Sequence, residues 1–107
     1  MSNDLKNHVE EIARRLSEGF DSADLNDDGE EMTAFDYLSG ALDIEYIIDR
    51  KGNCIGGRIL IAFGGPNIWI DTRRGMVDGY WWGESASASY EDSIGLEDAL
   101  EELWNCR

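Results

Sequence analysis

The hydrophobic residues of the N-terminal segment recur at helical spacing. A helix over residues 4–20 would carry on one face Leu5, Val9, Ile12, Ala13, Leu16 and Phe20. Ser2 or Asn3 can cap the start of this helix, and Gly19 lies near its end. The pattern predicts an amphipathic helix that buries one face against the rest of the chain.

Two further helices are predicted on similar grounds. Thr33 and Asp36 have the spacing of a weak capping box at the start of a short helix over residues 34–42. A last helix is predicted over residues 91–105, or from residue 93. Its apolar face consists of Leu96, Ala99, Leu100, Leu103 and Trp104.

From Asp43 onward the hydrophobic period changes to two, as in β-strands. Four strands are predicted, with the sequences DIEYIIDR, CIGGRILIAF, IWIDT and MVDGYWW. The segments KGN, GGPN and TRRG between them are typical of tight turns, so consecutive strands should pair antiparallel. Gly56 and Gly57 predict a bulge in the second strand, and GESASASYED is predicted to be a polar connector.

The order of elements, α-α-β-β-β-β-α, predicts one α+β domain over residues 1–107. Its sheet would be a four-stranded antiparallel meander. The N-terminal helix, the short second helix and the C-terminal helix would pack on one face of that sheet, because their apolar stripes need a partner. Their acidic faces would then share one side of the molecule.

The TRRG turn decides which residues face the helices. If Gly75 is the left-handed residue of a three-residue loop, Thr72 pairs with Met76 across the two strands, and Trp69 pairs with Gly79. Trp69, Val77 and Trp81 would then share one face, opposite Ile68, Ile70, Tyr80 and Trp82. A two-residue turn would change which residues of the fourth strand lie on each face of the sheet. Both arrangements place large aromatic side chains on both faces, so a tryptophan is expected on the open face.

Charge changes the functional picture more than any other compositional feature. The chain has 23 acidic and 9 basic residues, a net charge of −14. Residues 1–32 carry −7 and residues 84–107 carry −6, whereas residues 33–83 carry −1. Such a field repels nucleic acid and attracts basic surfaces. The plainer interpretation is that the negative charge keeps the protein soluble, but solubility requires less charge than this.

The stretch DLNDDGEEMTAFD resembles the start of a calcium loop. Asp24, Asn26 and Asp28 occupy alternate positions before Gly29, as oxygen ligands do in an EF-hand. The position that needs a bidentate Glu is Phe35, and no second loop follows. An Asx-rich turn is the favoured interpretation, and a weak calcium site at Asp24, Asn26 and Asp28 is the alternative.

No catalytic constellation is found in the sequence. His8, the single histidine, has no Cys or carboxylate partner at a recognised catalytic spacing. Two cysteines and one histidine without a CxxC motif cannot form a closed zinc site. Residues 64–67, GGPN, lie between strands and lack the Lys-Ser/Thr pair of a phosphate loop. We expect a protein that is not an enzyme and that needs no cofactor.

The remaining sequence features bear on where in the cell the protein is found. No run of 18 apolar residues exists, so no membrane span is expected. The N-terminus is polar and acidic, unlike a secretory signal. Cys54 and Cys106 are predicted to be reduced thiols of a cytoplasmic protein, with a single disulfide as the alternative.

The segment GGPNIWIDTRRGMVDGYWWGE carries a family resemblance over about a fifth of the chain. It resembles a hairpin of small acidic proteins of no assigned activity encoded by phages and conjugative elements of gut Firmicutes. The resemblance implies a class similar to anti-CRISPR and antirestriction proteins, which are small, acidic, cytosolic and without enzymatic motifs. Many of these mimic DNA: they occupy the DNA-binding groove of a nuclease with carboxylates in place of phosphates.

Two functional hypotheses follow. In the first, a mobile-element inhibitor engages a basic, nucleic-acid-binding surface of a host protein such as a CRISPR or restriction nuclease, without binding nucleic acid itself. Its contacts would be Glu10, Glu11, Glu18, Asp24, Asp27, Asp28, Glu30, Glu31, Glu97, Asp98, Glu101 and Glu102.

The second hypothesis is an adaptor or immunity-type interaction module. It would bind a partner, or a second copy of itself as a homodimer, through Trp69, Trp81 and an exposed strand edge.

Overall fold

The computed structural model describes residues 2–20, 25 and 29–107. Its elements are α1 (Ser2–Glu18), α2 (Ala34–Ser39), β1 (Asp43–Ile48), β2 (Cys54–Ala62), β3 (Asn67–Asp71), β4 (Met76–Trp81), β5 (Glu84–Ser89) and α3 (Leu96–Asn105). The strands form one antiparallel sheet in the order β1-β2-β3-β4-β5. The predicted α+β meander is confirmed, but the sheet has five strands rather than four.

The fifth strand occupies the segment that was predicted to be a connector. β5 pairs with β4 from Trp81–Glu84 to Met76–Ser89. The prediction was wrong because alternating Ser and Ala give only a weak two-residue period. Ala86 and Ala88 nevertheless pack against the core, and that is sufficient to fix which face of β5 is inward.

The helices cover a single face of the sheet, as predicted. α1 packs over β4 and β5, and α3 packs over β2. α1 approaches closely at Gly79, where an added Cβ would lie 2.6 Å from Val9 Cγ2. At Gly57 an added Cβ would lie 3.4 Å from Leu100 Cδ1 of α3. The core between these layers is formed mainly by Leu5, Val9, Leu16, Leu38, Ile59, Ile68, Ile70, Val77, Leu96 and Leu100.

The ends of the helices follow local capping signals. Gly19, with φ 91°, ends α1 and donates its N–H to the Arg15 carbonyl at 2.9 Å. The capping box of α2 is confirmed: Thr33 N–H donates to Asp36 Oδ2 at 2.9 Å, and Asp36 N–H donates to Thr33 Oγ1 at 3.2 Å. α2 stops at Ser39, before the predicted end, because Gly40 is its C-cap.

α3 begins at Leu96, later than predicted. The Asp92 carboxylate accepts the N–H groups of Leu96 at 2.8 Å and of Glu97 at 3.0 Å. Asp92 therefore stabilises the helix start from outside the helix, and residues 91–95 form an irregular lead-in.

The predicted bulge in β2 lies beside the glycines rather than on them. Ile47 pairs with Gly56 and Ile48 with Cys54, so Ile55 is the extra residue. Gly56 follows it with φ 150°. A second irregularity leaves Ile61 as an extra residue opposite β3.

The predicted register of the β3–β4 hairpin is wrong by one residue on β4. Asp71 pairs with Met76 and Trp69 with Asp78, so the loop has four residues, 72–75. The Asp71 carboxylate accepts the N–H groups of Arg73 at 3.1 Å and of Arg74 at 3.2 Å, and these bonds close the longer turn. Gly75 does adopt the predicted left-handed conformation, with φ 63°.

This register corrects the predicted faces. Val77 and Trp81 lie on the helix-covered face, which they share with Ile68 and Ile70. The open face carries Asn67, Trp69, Asp71, Met76, Asp78 and Tyr80 from β3 and β4. Trp69 and Trp81 therefore lie on opposite sides of the sheet.

Candidate functional site

The most concentrated charge of the described residues lies on α3. Its solvent face presents four exposed carboxylates: Glu97, Asp98, Glu101 and Glu102. Among the described residues, none of these side chains has a hydrogen-bonding or ion-pair partner. Glu101 follows Glu97 by four positions, as Glu102 follows Asp98, so each pair brings like charges together one helical turn apart.

The one base of residues 84–107 does not neutralise these acids. Arg107 places its guanidinium over the Trp104 ring at 3.4 Å and donates to the Trp104 carbonyl at 2.5 Å. No basic residue lies in the last turn of α3. The helix therefore keeps an uncompensated negative face, including near its C-terminus, where its own dipole disfavours acids.

The acids of α1 differ from those of α3 because arginines partly neutralise them. Glu11 Oε1 lies 2.6 Å from Arg14 Nη2, and Glu18 Oε2 lies 3.3 Å from Arg14 Nη1. The hydrogen bond from Arg14 lowers the pKa of Glu11 below its usual value. Glu10 is exposed and has no ion pair with any described residue. Of the three predicted α1 contacts, Glu10 is therefore the most available to a partner.

The remaining predicted acids belong to the α1–α2 connection. Glu30 and Glu31 are exposed, and Glu31 forms an isolated antiparallel bridge with Leu25. The predicted contacts Asp24, Asp27 and Asp28 lie outside the described residues, as does Asn26. The calcium hypothesis rests on those positions and stays a prediction. Within residues 2–20, 25 and 29–107, no three His, Cys, Asp or Glu side chains cluster in a way that could hold a metal ion.

The structure places the acidic helices α1 and α3 on one side of the sheet. α1 and α3 lie on the same face of the sheet, so their outward faces point away from it in the same sense. The predicted sharing of one side by the two acidic helices is thereby confirmed. The best-formed part of the candidate site is the α3 face, and Glu10 is the exposed acid of α1 that has no ion pair with a described residue.

The open sheet face has an internal charge network of its own. The Arg58 guanidinium stacks on the Trp69 ring at 4.4 Å and contacts Glu45 at 3.4 Å. Asp78, only 3% exposed, receives hydrogen bonds from Arg74 Nη1 at 2.7 Å and from Ser87 Oγ at 2.7 Å. The hydrogen bond that Arg74 donates to Asp78 raises the pKa of Arg74. Arg58 therefore already covers one face of the Trp69 ring.

Three exposed aromatic side chains lie near one end of the sheet. Trp82 is 88% exposed, Phe63 is 73% exposed and Tyr80 is 47% exposed. Trp82 and Gly83 form the two-residue β4–β5 loop, and both have positive φ, 53° and 77°. Sequence reasoning missed Trp82 because it missed β5. The dipeptide Trp-Gly before an alternating Ser/Ala segment was the available signal for this turn.

The single histidine and the cysteines do not form a reactive group. His8 is exposed on α1, Cys54 is buried and Cys106 is exposed. Both cysteines are free thiols, so the alternative of a disulfide is not realised. No helix among the described residues combines the length and the apolar composition of a membrane span.

Comparisons of the chain with protein-family models, with curated proteins and with solved structures found no match.

Proposed function

We propose that this chain is a non-enzymatic binding protein whose acidic helix side engages a basic, nucleic-acid-binding surface of another protein. A nuclease or another DNA-binding protein is the expected class of partner. The observation that carries the proposal is the exposed face of α3, where four carboxylates lie without a cationic partner among the described residues. Glu10 of α1 is a further exposed acid on the same face of the sheet.

The loss of helix stability that these unpaired acids cause supports a role in binding another molecule. Like charges one turn apart destabilise a helix by about 0.2–0.5 kcal/mol per pair, and acids near a helix C-terminus add a further cost. α1 lowers such costs through Arg14, whereas α3 has no equivalent residue. A cationic groove on a partner would supply the missing counter-charges. Binding of this kind is driven by complementary fields and weakens as salt screens them.

The experiment is a capture of partners from host lysate by the tagged chain, at low and at high salt, with and without competing DNA. The proposal expects a nucleic-acid-binding protein that is retained at low salt and released by salt or by DNA. A variant with Glu101→Gln and Glu102→Gln should lose this partner. The matched control, Asp43→Asn with Glu45→Gln on the edge strand β1, removes the same charge and should retain it.

A second candidate is an interaction module that binds through the open sheet face, including as a homodimer. The observation in its favour is that α1, α2 and α3, the helices of the described residues, do not cover Trp69 and Tyr80. Trp69 and Trp81 cannot act together in it, since they lie on opposite faces. This candidate predicts capture that resists high salt and that is lost in Trp69→Ala, so the same experiment separates the two.

A further inference from the structure

β5 forms an edge of the sheet, and half of its backbone groups point away from the sheet. β5 is the last strand in the order β1-β2-β3-β4-β5. A two-residue loop joins it to β4, and just after the strand Tyr90 N–H donates to the Gly75 carbonyl at 3.0 Å. Residues 84, 86, 88 and 90 therefore direct their N–H and C=O groups toward β4. The alternate residues, Ser85, Ser87 and Ser89, direct theirs outward.

The outward groups of β5 are open to another strand. Ser85, Ser87 and Ser89 are exposed, and their backbone N–H and C=O groups have no hydrogen-bond partner among the described residues. β5 pairs with β4 in an unbroken register and contains neither lysine nor proline. Edge strands are usually protected by charges, by proline or by a bulge, because an unprotected edge can pair with another chain. β5 has only one charged residue, Glu84, at its hairpin end.

The opposite edge of the sheet has the protection that β5 lacks. β1 carries the exposed acids Asp43 and Glu45, and the bulge at Ile55 interrupts its pairing with β2. The acidic helix α3 packs over β2, next to this edge. A second negatively charged chain is therefore repelled at β1 more strongly than at β5.

The residue pattern of β5 matches a second copy of the same strand. In an antiparallel pair with its two-fold axis at Ser87, each Ser87 pairs with the other, and Ser85 pairs with Ser89 of the second copy. All the outward groups of both strands are then hydrogen-bonded. Ala86 lies opposite Ala88 of the second copy, both on the helix side of the sheet. Glu84 falls opposite Tyr90 of the second copy, so no two like charges are directly paired.

The helix layer leaves room for this pairing. α1 lies over β4 and β5, so the two copies of α1 would lie about two strand spacings, or about 10 Å, apart. This is the interaxial distance of packed helices. The helices nearest the junction are also nearly neutral, because α1 has four acidic and three basic residues. α3, with four acidic and no basic residues, lies over β2, about 14 Å or three strand spacings from β5.

We propose that β5 pairs with β5 of a second copy of this chain, so that the two sheets join into one continuous sheet. The two-fold axis is perpendicular to the sheet, and the helices of both copies therefore lie on the same side. The dimer presents two α3 faces to a basic partner, although its formation does not depend on that partner. Trp69 and the open sheet face have no part in the junction.

The first test is sedimentation equilibrium of the unmodified chain over a range of protein concentrations, at low and at high salt. A dimer should form as the concentration rises. Because each chain carries a net charge of −14, salt should strengthen the dimer by screening the repulsion between the copies. This salt dependence is opposite to the one expected for binding of the basic partner.

Amide hydrogen exchange of the same protein locates the junction. The outward N–H groups of Ser85, Ser87 and Ser89 exchange freely in the monomer and are hydrogen-bonded in the dimer. Their exchange should slow as the protein concentration rises. The amides of β1, the other edge strand, are the internal control and should exchange at an unchanged rate.

Two double variants test the register. Ser85→Lys with Ser89→Lys places like charges opposite each other twice, and it should weaken the dimer by about two- to thirtyfold. Net charge alone predicts the reverse, because this variant is less negative than the unmodified chain. Ser85→Glu with Ser89→Lys keeps the net charge and places opposite charges together, so its dimer should be at least as strong as that of the unmodified chain. Circular dichroism verifies that both variants are folded.

A chain that stays monomeric at every concentration and salt would overturn the inference. A two-lysine variant that dimerises as well as the unmodified chain, or better, would also overturn it, because the contact would then lie on another surface. Slower exchange on β1 instead of β5 would do the same. Capture of a basic partner by a chain that stays monomeric would leave the proposed function standing and remove this dimer only.

Discussion

Arg74 Nη1 lies 2.7 Å from Asp78 Oδ2, on the sheet face opposite α1 and α3. The Asp78 side chain is nevertheless only 5% exposed, while that of Arg74 is 56% exposed. Ser87 Oγ donates to the other carboxylate oxygen at 2.7 Å. A buried acid on β4 is therefore satisfied by the fifth strand and by the β3–β4 loop together, and it connects three parts of the sheet.

Replacing Asp78 should destabilise the chain. Asp78→Ala removes the acceptor of two hydrogen bonds at a buried position, and we expect the free energy of unfolding to fall by about 1–3 kcal/mol. Urea unfolding followed by circular dichroism measures this change. Asp43→Ala, at an exposed position of β1, should change the free energy of unfolding by no more than about 0.5 kcal/mol. Equal effects of the two substitutions would show that Asp78 is not part of a stabilising network.

The tip of the β4–β5 hairpin should be open to stabilisation, because Trp82 has a φ of 53° there. Trp82→Asn places a residue that tolerates the left-handed region in front of Gly83, and it should raise the free energy of unfolding by about 1 kcal/mol. Trp82→Phe retains the unfavourable conformation and should not raise it. Thermal unfolding compares the three proteins. A lower melting temperature for Trp82→Asn would show that contacts of the indole stabilise the folded chain by more than its backbone conformation costs.

The acidic face of α3 should likewise reduce stability. Glu101→Lys pairs residue 101 with Glu97 one turn earlier and places a positive charge in the C-terminal half of the helix. The free energy of unfolding should rise by about 0.5 kcal/mol at low salt, and the gain should shrink as salt is added. Glu97→Gln should raise the free energy of unfolding by less, because the acid that it removes lies in the first turn and interacts favourably with the helix dipole. A loss of stability in Glu101→Lys would show that the acids are compensated in the folded chain.

Alkaline pH should destabilise the chain through Tyr90. Burial, followed by the nearby Asp92 and Glu97 carboxylates, raises the pKa of Tyr90 above its ordinary value of 10.0. A group whose pKa is raised on folding contributes stability below the pKa of the unfolded chain, and that contribution is lost as the pH rises through the folded value. The free energy of unfolding should therefore decline above about pH 10.

Tyr90→Phe should flatten this decline, although part of it should remain because burial also raises the pKa of Tyr37. Urea unfolding at a series of pH values between neutral and alkaline makes the comparison. An identical decline in the variant would assign the effect to other groups.

The strength of each sequence signal explains which predictions succeeded. The helices were predictable because strong apolar stripes and caps such as Thr33 and Gly19 act locally. β5 was not predictable, because its inward residues are only Ala86 and Ala88, and their burial depends on α1 lying across them. The β3–β4 register depended on one side chain, Asp71, whose hydrogen bonds lengthen the turn.

Some features of the candidate site could likewise be predicted from the sequence, whereas others required the structure. A net charge of −14 and the acidic face of the last helix can be seen in the sequence. The difference between α1, where Arg14 pairs with two acids, and α3, where no base does so, depends on side-chain geometry. The exposed Trp82 became visible only with the correct hairpin, since the same indole would be buried or covered in another register.

The central claim is that the α3 carboxylates bind a basic surface of a partner protein. The most direct measurement is the affinity of the captured partner for the chain over a range of salt concentrations, for two variants of equal net charge. One variant is Glu101→Gln with Glu102→Gln, and the other is Asp43→Asn with Glu45→Gln. The account predicts a weaker affinity and a shallower salt dependence for the α3 variant, with the β1 variant close to the unmodified chain. Equal affinities for the two variants, or an affinity that does not respond to salt, would contradict it.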